Sequence, residues 1–578
     1  MATPETLPNQ APAAGFRSWF ARWPYLSLTL LVLAALGPFI ARPLNIDDPL
    51  FVWSAQQIVK HPADPYGFDV NWYGMPMPMW ATTKNPPLTC YYLALAGSVF
   101  GWSEPALHGA MLLPAIAVIL GTYRLARRFC RCPGLAAGIT LFSPVFLISG
   151  TSVMCDTMML AFWMWAVVLW VEGLEKNDRG RLAGSGVLIA LAALTKYFGI
   201  CLVPLLLVHA LVQRRRMGAW ILSLVIPVAA LAAYEAATRA AYGTGLFTDA
   251  EHFARGSAQS IQPGRTVGLL VGLTFTGGCL ATASLLTRFA RRPKMEDILA
   301  IVVIIATVAL FMTGTIFKPY AGLARTALPL TLLQMAYWAM GGMGILVLAA
   351  EYIWHERTPA AWLLGLWALG TFFFASVLNW TINGRSILPM APAVAILAVV
   401  RWERSTPPAG FLRALWTVGL AGGVALALAL TWADFRQAVV SRNVATQAEA
   451  VFGNQKGSLW FDAHWGIQHY LEVGGGKPVD WRQPAFGRND LLVVPLNNPT
   501  LLKSPGTVVQ DFGNARLETV LTNQGPAWLA TMNKEVGAGF YSSVNGPLPF
   551  AFGRVPPDIA YVYRVEPSTP PAPRPSSP

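Results

Sequence analysis

A polytopic α-helical membrane protein ending in a small exported α/β domain is the fold class this sequence predicts, on three observations. Of 578 residues, 54% are hydrophobic and only 12% charged, about half the roughly 25% charged content of a soluble globular domain. Apolar runs of near-spanning length recur between residues 25 and 432. Beyond Trp432 they give way to short strand-like runs separated by Gly- and Pro-rich turns. This composition excludes a disordered chain, a collagen-like repeat and a small disulfide scaffold.

The elements follow in order. Residues 1–24 form a cytoplasmic segment, with Arg17 and Arg22 ahead of the first apolar run at 25–41. Many further spans follow, so that run reads as an uncleaved first helix rather than a signal peptide. Residues 42–104 make the first extracytoplasmic loop: 42–88 is too polar and Pro-rich to span, and 89–101 reads as an interfacial helix. Apolar runs then occupy 105–123, 134–150, 157–173, 182–195, 198–212, 219–242, 264–287, 297–316, 326–350, 360–378, 386–400 and 411–432. With the first run they predict about thirteen transmembrane helices in a 25–432 membrane domain, several of them shorter than the ~20 residues of an untilted span. An odd count sends residues 433–566 to the outer side. That domain's strand-like runs are 458–462, 491–495, 507–511, 517–522 and 559–565. Residues 567–578, rich in Pro and Ser, read as a disordered tail.

Charge and cysteine narrow the function. The net charge is +13, yet residues 434–578 hold 12 basic and 11 acidic side chains, so the excess lies in the membrane portion. It concentrates in short links, such as Arg124, Arg127, Arg128 and Arg131, or Arg214, Arg215 and Arg216. That is the positive-inside pattern of insertion rather than a nucleic-acid footprint, and no nucleic-acid partner is expected. None of the six Cys lies beyond Trp432. Cys130 and Cys132 have no second pair, and cysteine carries no metal or redox role here.

Few ionisable groups lie mid-span, where a transporter would place a substrate path. They gather instead at the outer ends of helices and in the first outer loop. Asp48 precedes Pro49 and can cap a helix; with Asp47 it also makes two adjacent carboxylates, which suit a general base or a metal. Asp156 opens a span, as a cap or as a functional acid. Lys84 closes the outer loop, snorkelling to lipid or holding a phosphate. Glu235 and Arg239 read as a structural i, i+4 pair. Arg385 precedes an inward-going helix on the outer side, the wrong side for a topogenic charge. His464 and His469, five residues apart, do not share a helix face and are discounted as ligands.

In this order the residues resemble a known family. Asp47-Asp48-Pro-Leu-Phe-Val-Trp-Ser-Ala55 resembles the Asp-Glu-x-x-Tyr-x-x-x-Ala pattern of GT-C class membrane glycosyltransferases, above all family 39. That family includes the protein O-mannosyltransferases and the aminoarabinose transferase of lipid A. Lys84-Asn-Pro-Pro-Leu-Thr-Cys-Tyr-Tyr-Leu and Phe100-Gly-Trp-Ser-Glu-Pro-Ala-Leu-His108 are similar to its Lys-Pro-Pro-Leu-x-Tyr-Trp-Leu and Phe-Gly-x-Ser-Glu stretches. Asp156, Ala193-Leu-Thr-Lys196-Tyr-Phe-Gly199 and Arg385-Ser-Ile-Leu-Pro also resemble family positions. The sequence departs at Asp48, where Glu is usual, at the inserted Asn85, and at His108 in place of a common Arg.

The resemblance implies a GT-C fold and a transferase that moves a sugar from a polyprenyl-phosphate carrier to an acceptor at the outer face, with inversion. Asp47, Asp48 and Asp156 would be the catalytic acids, Asp47 taking the acceptor proton. Lys84, Lys196 and Arg385 would hold the donor phosphate. The implied partners are the polyprenyl-phosphate sugar, a protein, lipid or glycan acceptor, and membrane lipids, in an inner membrane with the N-terminus cytoplasmic. No cofactor follows from the residues, and the class leaves a divalent cation open, having members with and without one. The competing readings are a flippase of lipid-linked sugars and a non-catalytic envelope assembly protein that keeps the fold.

Overall fold

The computed structural model describes residues 16–261, 265–288, 302–303, 307, 309, 320, 322–404, 411–453, 456–497, 515–523, 527–556 and 558–565. Among these, eight helices are individually long and apolar enough to cross a membrane, or nine when the bent pair Pro133–Leu141 and Pro144–Gly150 counts as one span. The protein is a multi-pass membrane protein. The expected run at 297–316 lies outside the described residues but for four positions, and the strand-like run at 507–511 and the tail at 567–578 lie wholly outside them.

Local sequence explains the helices that frame the site. Pro24–Leu36 starts on a proline, whose fixed φ suits the first turn, and gives way at Gly37-Pro38 to a 3-10 turn. Leu28, Val32 and Leu36 face the core while Leu26, Leu30 and Leu33 are exposed, as a helix with one protein face and one lipid face requires. Asp156–Lys176 ends on Asn177 in the left-handed conformation, and Asp178 accepts a hydrogen bond from the Arg181 amide to start Arg179–Thr195. The resulting antiparallel hairpin returns the chain to the level where it began. Asp156, first residue of one helix, therefore meets Lys196, which follows the last residue of the other. Gly199 closes that corner: a Cβ there would lie 2.4 Å from the Ala192 backbone.

At the far end of the same hairpin, buried Glu172 pairs with Arg124, Arg128 and Arg181. Three of the link arginines thus also have a packing role, neutralising a carboxylate that burial would otherwise make costly.

The last apolar run does not stop at Trp432. It continues as one 42-residue helix, Phe411–Phe452, so the expected boundary at 432/433 falls inside a helix. Its extension packs against a five-stranded sheet ordered Lys477–Pro478, Leu459–Phe461, Asp490–Pro495, Asp558–Val565, Ala515–Asn523. The first three strands are parallel and the last two antiparallel to their neighbours. Asp490–Pro495 is buried throughout, as an apolar central strand should be. Gly466–Val473 is the sheet's own helix.

Contacts at several separate points fix this domain to the membrane portion. The Trp481 amide donates to Gly74 O and Asn71 Nδ2 donates to Val479 O, both at 2.9 Å, on the hairpin Asp69–Asn71/Pro76–Pro78. Residues 527–555, inserted between the last two strands, instead reach the helix Leu328–Glu356, where Gln334 exchanges two hydrogen bonds with the Phe552 backbone.

Candidate active site

Asp47 and Asp48 begin the helix Asp48–Lys60, where Pro49 sets the first turn. Asp47 occupies the cap position, yet its side chain makes no capping bond. It pairs instead with Arg385, Nη1 to Oδ2 at 3.0 Å, with a quarter of the aspartate side chain exposed. Arg385 lies in the short turn Gly384–Ile387, begun by Asn383, whose side chain accepts from the Ser386 amide. Its Nη1 also sits 2.9 Å from the Met154 sulfur. That contact leans it on the turn that opens the Asp156 helix.

Asp156 pairs with Lys196, Nζ to Oδ1 at 2.6 Å, the carboxylate almost fully buried. Neither pair is saturated. Arg385 Nε and Asp156 Oδ2 are buried with no hydrogen-bond partner among the described residues. A guanidinium has five N–H donors and a carboxylate about four acceptor positions, and a buried polar group left unmade is costly. The two pairs adjoin through Met154 and Cys155, so two carboxylates and two cations form one cluster with donor and acceptor capacity in reserve. Tyr73, on the hairpin, completes this side; burial and then the Asp47 charge push its phenol up to about 12.

Asp48 departs from the expected catalytic group. It is fully buried, accepts from Arg42 Nη1 at 3.0 Å and takes the Asn45 and Val153 amides at 2.9 and 3.0 Å. Burial pushes it up to about 6, against the opposing pull of Arg42 and both amides. Arg42 then bridges to Asp434 at 2.9 Å on the long last helix, and Tyr541 donates to the same carboxylate at 3.0 Å. The adjacent aspartates therefore face different arginines and do not form a two-carboxylate cation site. Among the described residues no three His, Cys, Asp or Glu gather into a group that could hold a metal ion.

Lys84 also stands apart. Its ammonium is 2.5 Å from Asp249 Oδ2, donates to Ala81 O and lies 5.2 Å from the Phe253 ring centre. Asp249 and Phe253 belong to Leu246–Ile261, a helix begun by Glu235, whose carboxylate accepts the Phe247 amide at 3.0 Å and the Thr248 hydroxyl at 2.6 Å. Glu235 also pairs with Arg239 at 3.3 Å. The Lys84 contact adjoins the Lys196 side through Tyr197 packed on Phe247 and Phe253 packed on Trp380.

Of the six candidates, four thus form two adjoining ion pairs, Asp48 turns into a sealed cluster and Lys84 joins the helix 246–261. Sequence reasoning passed over Arg42, Asp434, Tyr541 and Asp249. Arg42 had a usable signal: like Arg385, it is a cation on the side that the sequence assigns to the exterior. His464 and His469 pack edge-on or tilted against Trp72 and Trp53.

Residues 84–235 match the family model described as dolichyl-phosphate-mannose-protein mannosyltransferase. That segment is about a quarter of the chain and includes Lys84, Asp156 and Lys196. Among solved structures it is similar to ArnT from Cupriavidus metallidurans bound to undecaprenyl phosphate, at 15% identity and TM-score 0.45, over 87% of this chain and 97% of that one. The apo state of the same protein gives 15% identity and TM-score 0.42, over 87% and 96%. The arabinofuranosyltransferase AftD from Mycobacteria is similar at 12% identity and TM-score 0.37, over 96% of this chain and 40% of that one. No curated protein sequence matches the chain.

Proposed function

We propose that this glycosyltransferase moves a sugar from a polyprenyl-phosphate carrier to an acceptor hydroxyl, with inversion, at the outer face of a bacterial inner membrane. The observation that carries the reading is the partly exposed Asp47–Arg385 pair beside Lys196–Asp156. Among the described residues Arg385 Nε and Asp156 Oδ2 have no partner. Such a site suits a ligand that brings both an anion and a hydroxyl. The matched family region supports it.

In this mechanism the acceptor oxygen attacks the anomeric carbon as the bond from that carbon to the phosphate oxygen breaks, and the acceptor proton passes to Asp47. Charge grows on the departing lipid phosphate, where Arg385 and Lys196 stabilise it. The incoming phosphate competes with Asp47 for Arg385, which frees the carboxylate to orient and deprotonate the acceptor. Asp156 holds Lys196 in place. Lys84 adds a cation at the loop end once released from Asp249. Asp48 acts indirectly, by holding the start of its helix through Arg42. Orientation follows the basic links: the Arg124, Arg128 and Arg181 end lies inside and the C-terminal domain outside.

Proteoliposomes carrying polyprenyl-phosphate sugars, with a crude envelope extract as acceptor source, test this. The reading expects free polyprenyl phosphate to appear only with acceptor present. Labelled lipid moving between leaflets without release would give the protein to the flippase class instead.

A further inference from the structure

The inserted segment 527–555 does more than brace the C-terminal domain. Beyond its contact with Gln334 it runs onto the turn that carries Arg385. The Gly384 amide donates to Phe540 O at 2.7 Å, the Ser543 amide donates to Ile382 O at 2.8 Å, and the Thr381 and Ser542 hydroxyls meet at 3.0 Å. Position 384 accepts only glycine without rearrangement, because a Cβ there would lie 2.5 Å from the Phe540 ring.

This docking delivers Tyr541 between the two ionic clusters. Its hydroxyl donates to Asp434 and receives Arg42 Nη2 at 3.3 Å. Its ring lies under Arg385, 5.8 Å from guanidinium carbon to ring centre. The phenol is pushed well above its ordinary value, by burial first and then by the Asp434 charge, so it stays a proton donor. Among the described residues Arg385 has few other fixed contacts: one oxygen of Asp47, the Met154 sulfur, and nothing on Nε. A guanidinium so sparsely bonded depends on the π face that supports it.

We propose that Tyr541 is a positioning residue for the Asp47–Arg385 pair: its hydroxyl is anchored in the sealed Arg42–Asp434 cluster and its ring is the platform for the guanidinium. The C-terminal domain thereby completes the site in the membrane portion. The turnover consequence rests on the transferase reading above; the placement of Arg385 does not.

The test uses the full chain in nanodiscs, with Tyr541→Phe keeping the ring and Tyr541→Leu removing it. Phenylglyoxal labelling of Arg385, read by peptide mass spectrometry against exposed Arg482, reports the guanidinium directly. In Tyr541→Leu, Arg385 should label roughly 3- to 30-fold faster, the range expected when a π partner is lost, with Arg482 unchanged. In Tyr541→Phe it should stay within about twofold of wild type, since Asp434 keeps Arg42 and Thr531. Turnover should fall with kcat in the leucine variant while the acceptor KM stays within about twofold. Tyr541→Met serves as the ringless variant if leucine impairs folding.

Wild-type labelling of Arg385 in a folded ringless variant overturns the proposal. Equal acceleration in the phenylalanine and ringless variants, in step with a lowered melting point, also overturns it, because that marks packing alone. If labelling separates as expected while wild type releases no polyprenyl phosphate, Tyr541 keeps its role and the transferase reading falls.

Discussion

Asp47 and Asp48 are adjacent in sequence, and their surroundings differ in almost every respect. Asp48 sits in a fully buried network with Arg42, Asp434, Tyr541 and two backbone amides, in which Arg42 Nε lacks a partner among the described residues. Asp47 and Arg385 are partly exposed, next to the partly exposed Lys196 on buried Asp156. Unpartnered polar atoms occur in both clusters; full burial marks the first as architecture, and exposure marks the second as a place a ligand can reach. Perturbed or paired carboxylates occur in both settings, so pairing alone does not identify an active site.

The largest expected effect breaks the sealed side. Asp48→Ala leaves Arg42 buried beside one remaining anion and should cost about 3–5 kcal/mol. It would be read as a much lower melting point and poor recovery of monodisperse protein. On the open side, Arg385→Ala should retain its melting point but lose roughly 100- to 1000-fold in turnover, the cost of removing one donor to a developing anion. It should also weaken binding of polyprenyl phosphate measured by native mass spectrometry. Lys84→Ala should have an intermediate effect, about tenfold in donor affinity and turnover, since its charge is one of several. The smallest effect belongs to Arg239→Ala, an exposed i, i+4 partner of Glu235. It should shift stability by about 0.5 kcal/mol or less and leave turnover unchanged, because Glu235 keeps its bonds to Phe247 and Thr248.

The two regions also differ in how far the sequence revealed them. Helix positions followed from apolar runs, which local composition records directly. Asp47, Asp156, Lys196 and Arg385 could be singled out because each is a charge at an unusual depth or side. The sealed cluster could not, because Arg42 and Asp434 are 392 residues apart and neither has a local pattern that names its partner. The domain boundary was hidden for a related reason. Residues after Trp432 turn polar when the helix leaves the apolar layer, so composition changes there while Phe411–Phe452 continues unbroken. Segment 527–555 gave no sign of its docking, which depends on backbone groups of Phe540 and Ser543 rather than on any motif. Asp48 misled through its neighbour: adjacency suggested shared chemistry, but the first turn of a helix sends successive side chains in different directions.

The most direct measurement compares Asp47→Asn with Asp48→Asn in one preparation, recording melting and acceptor-dependent release of polyprenyl phosphate. The account predicts that Asp47→Asn melts like wild type and loses roughly 100-fold or more of its turnover, while Asp48→Asn is distinguished by a lowered melting point. An Asp47→Asn protein that keeps about a tenth or more of wild-type turnover would contradict the assignment of Asp47 as the base.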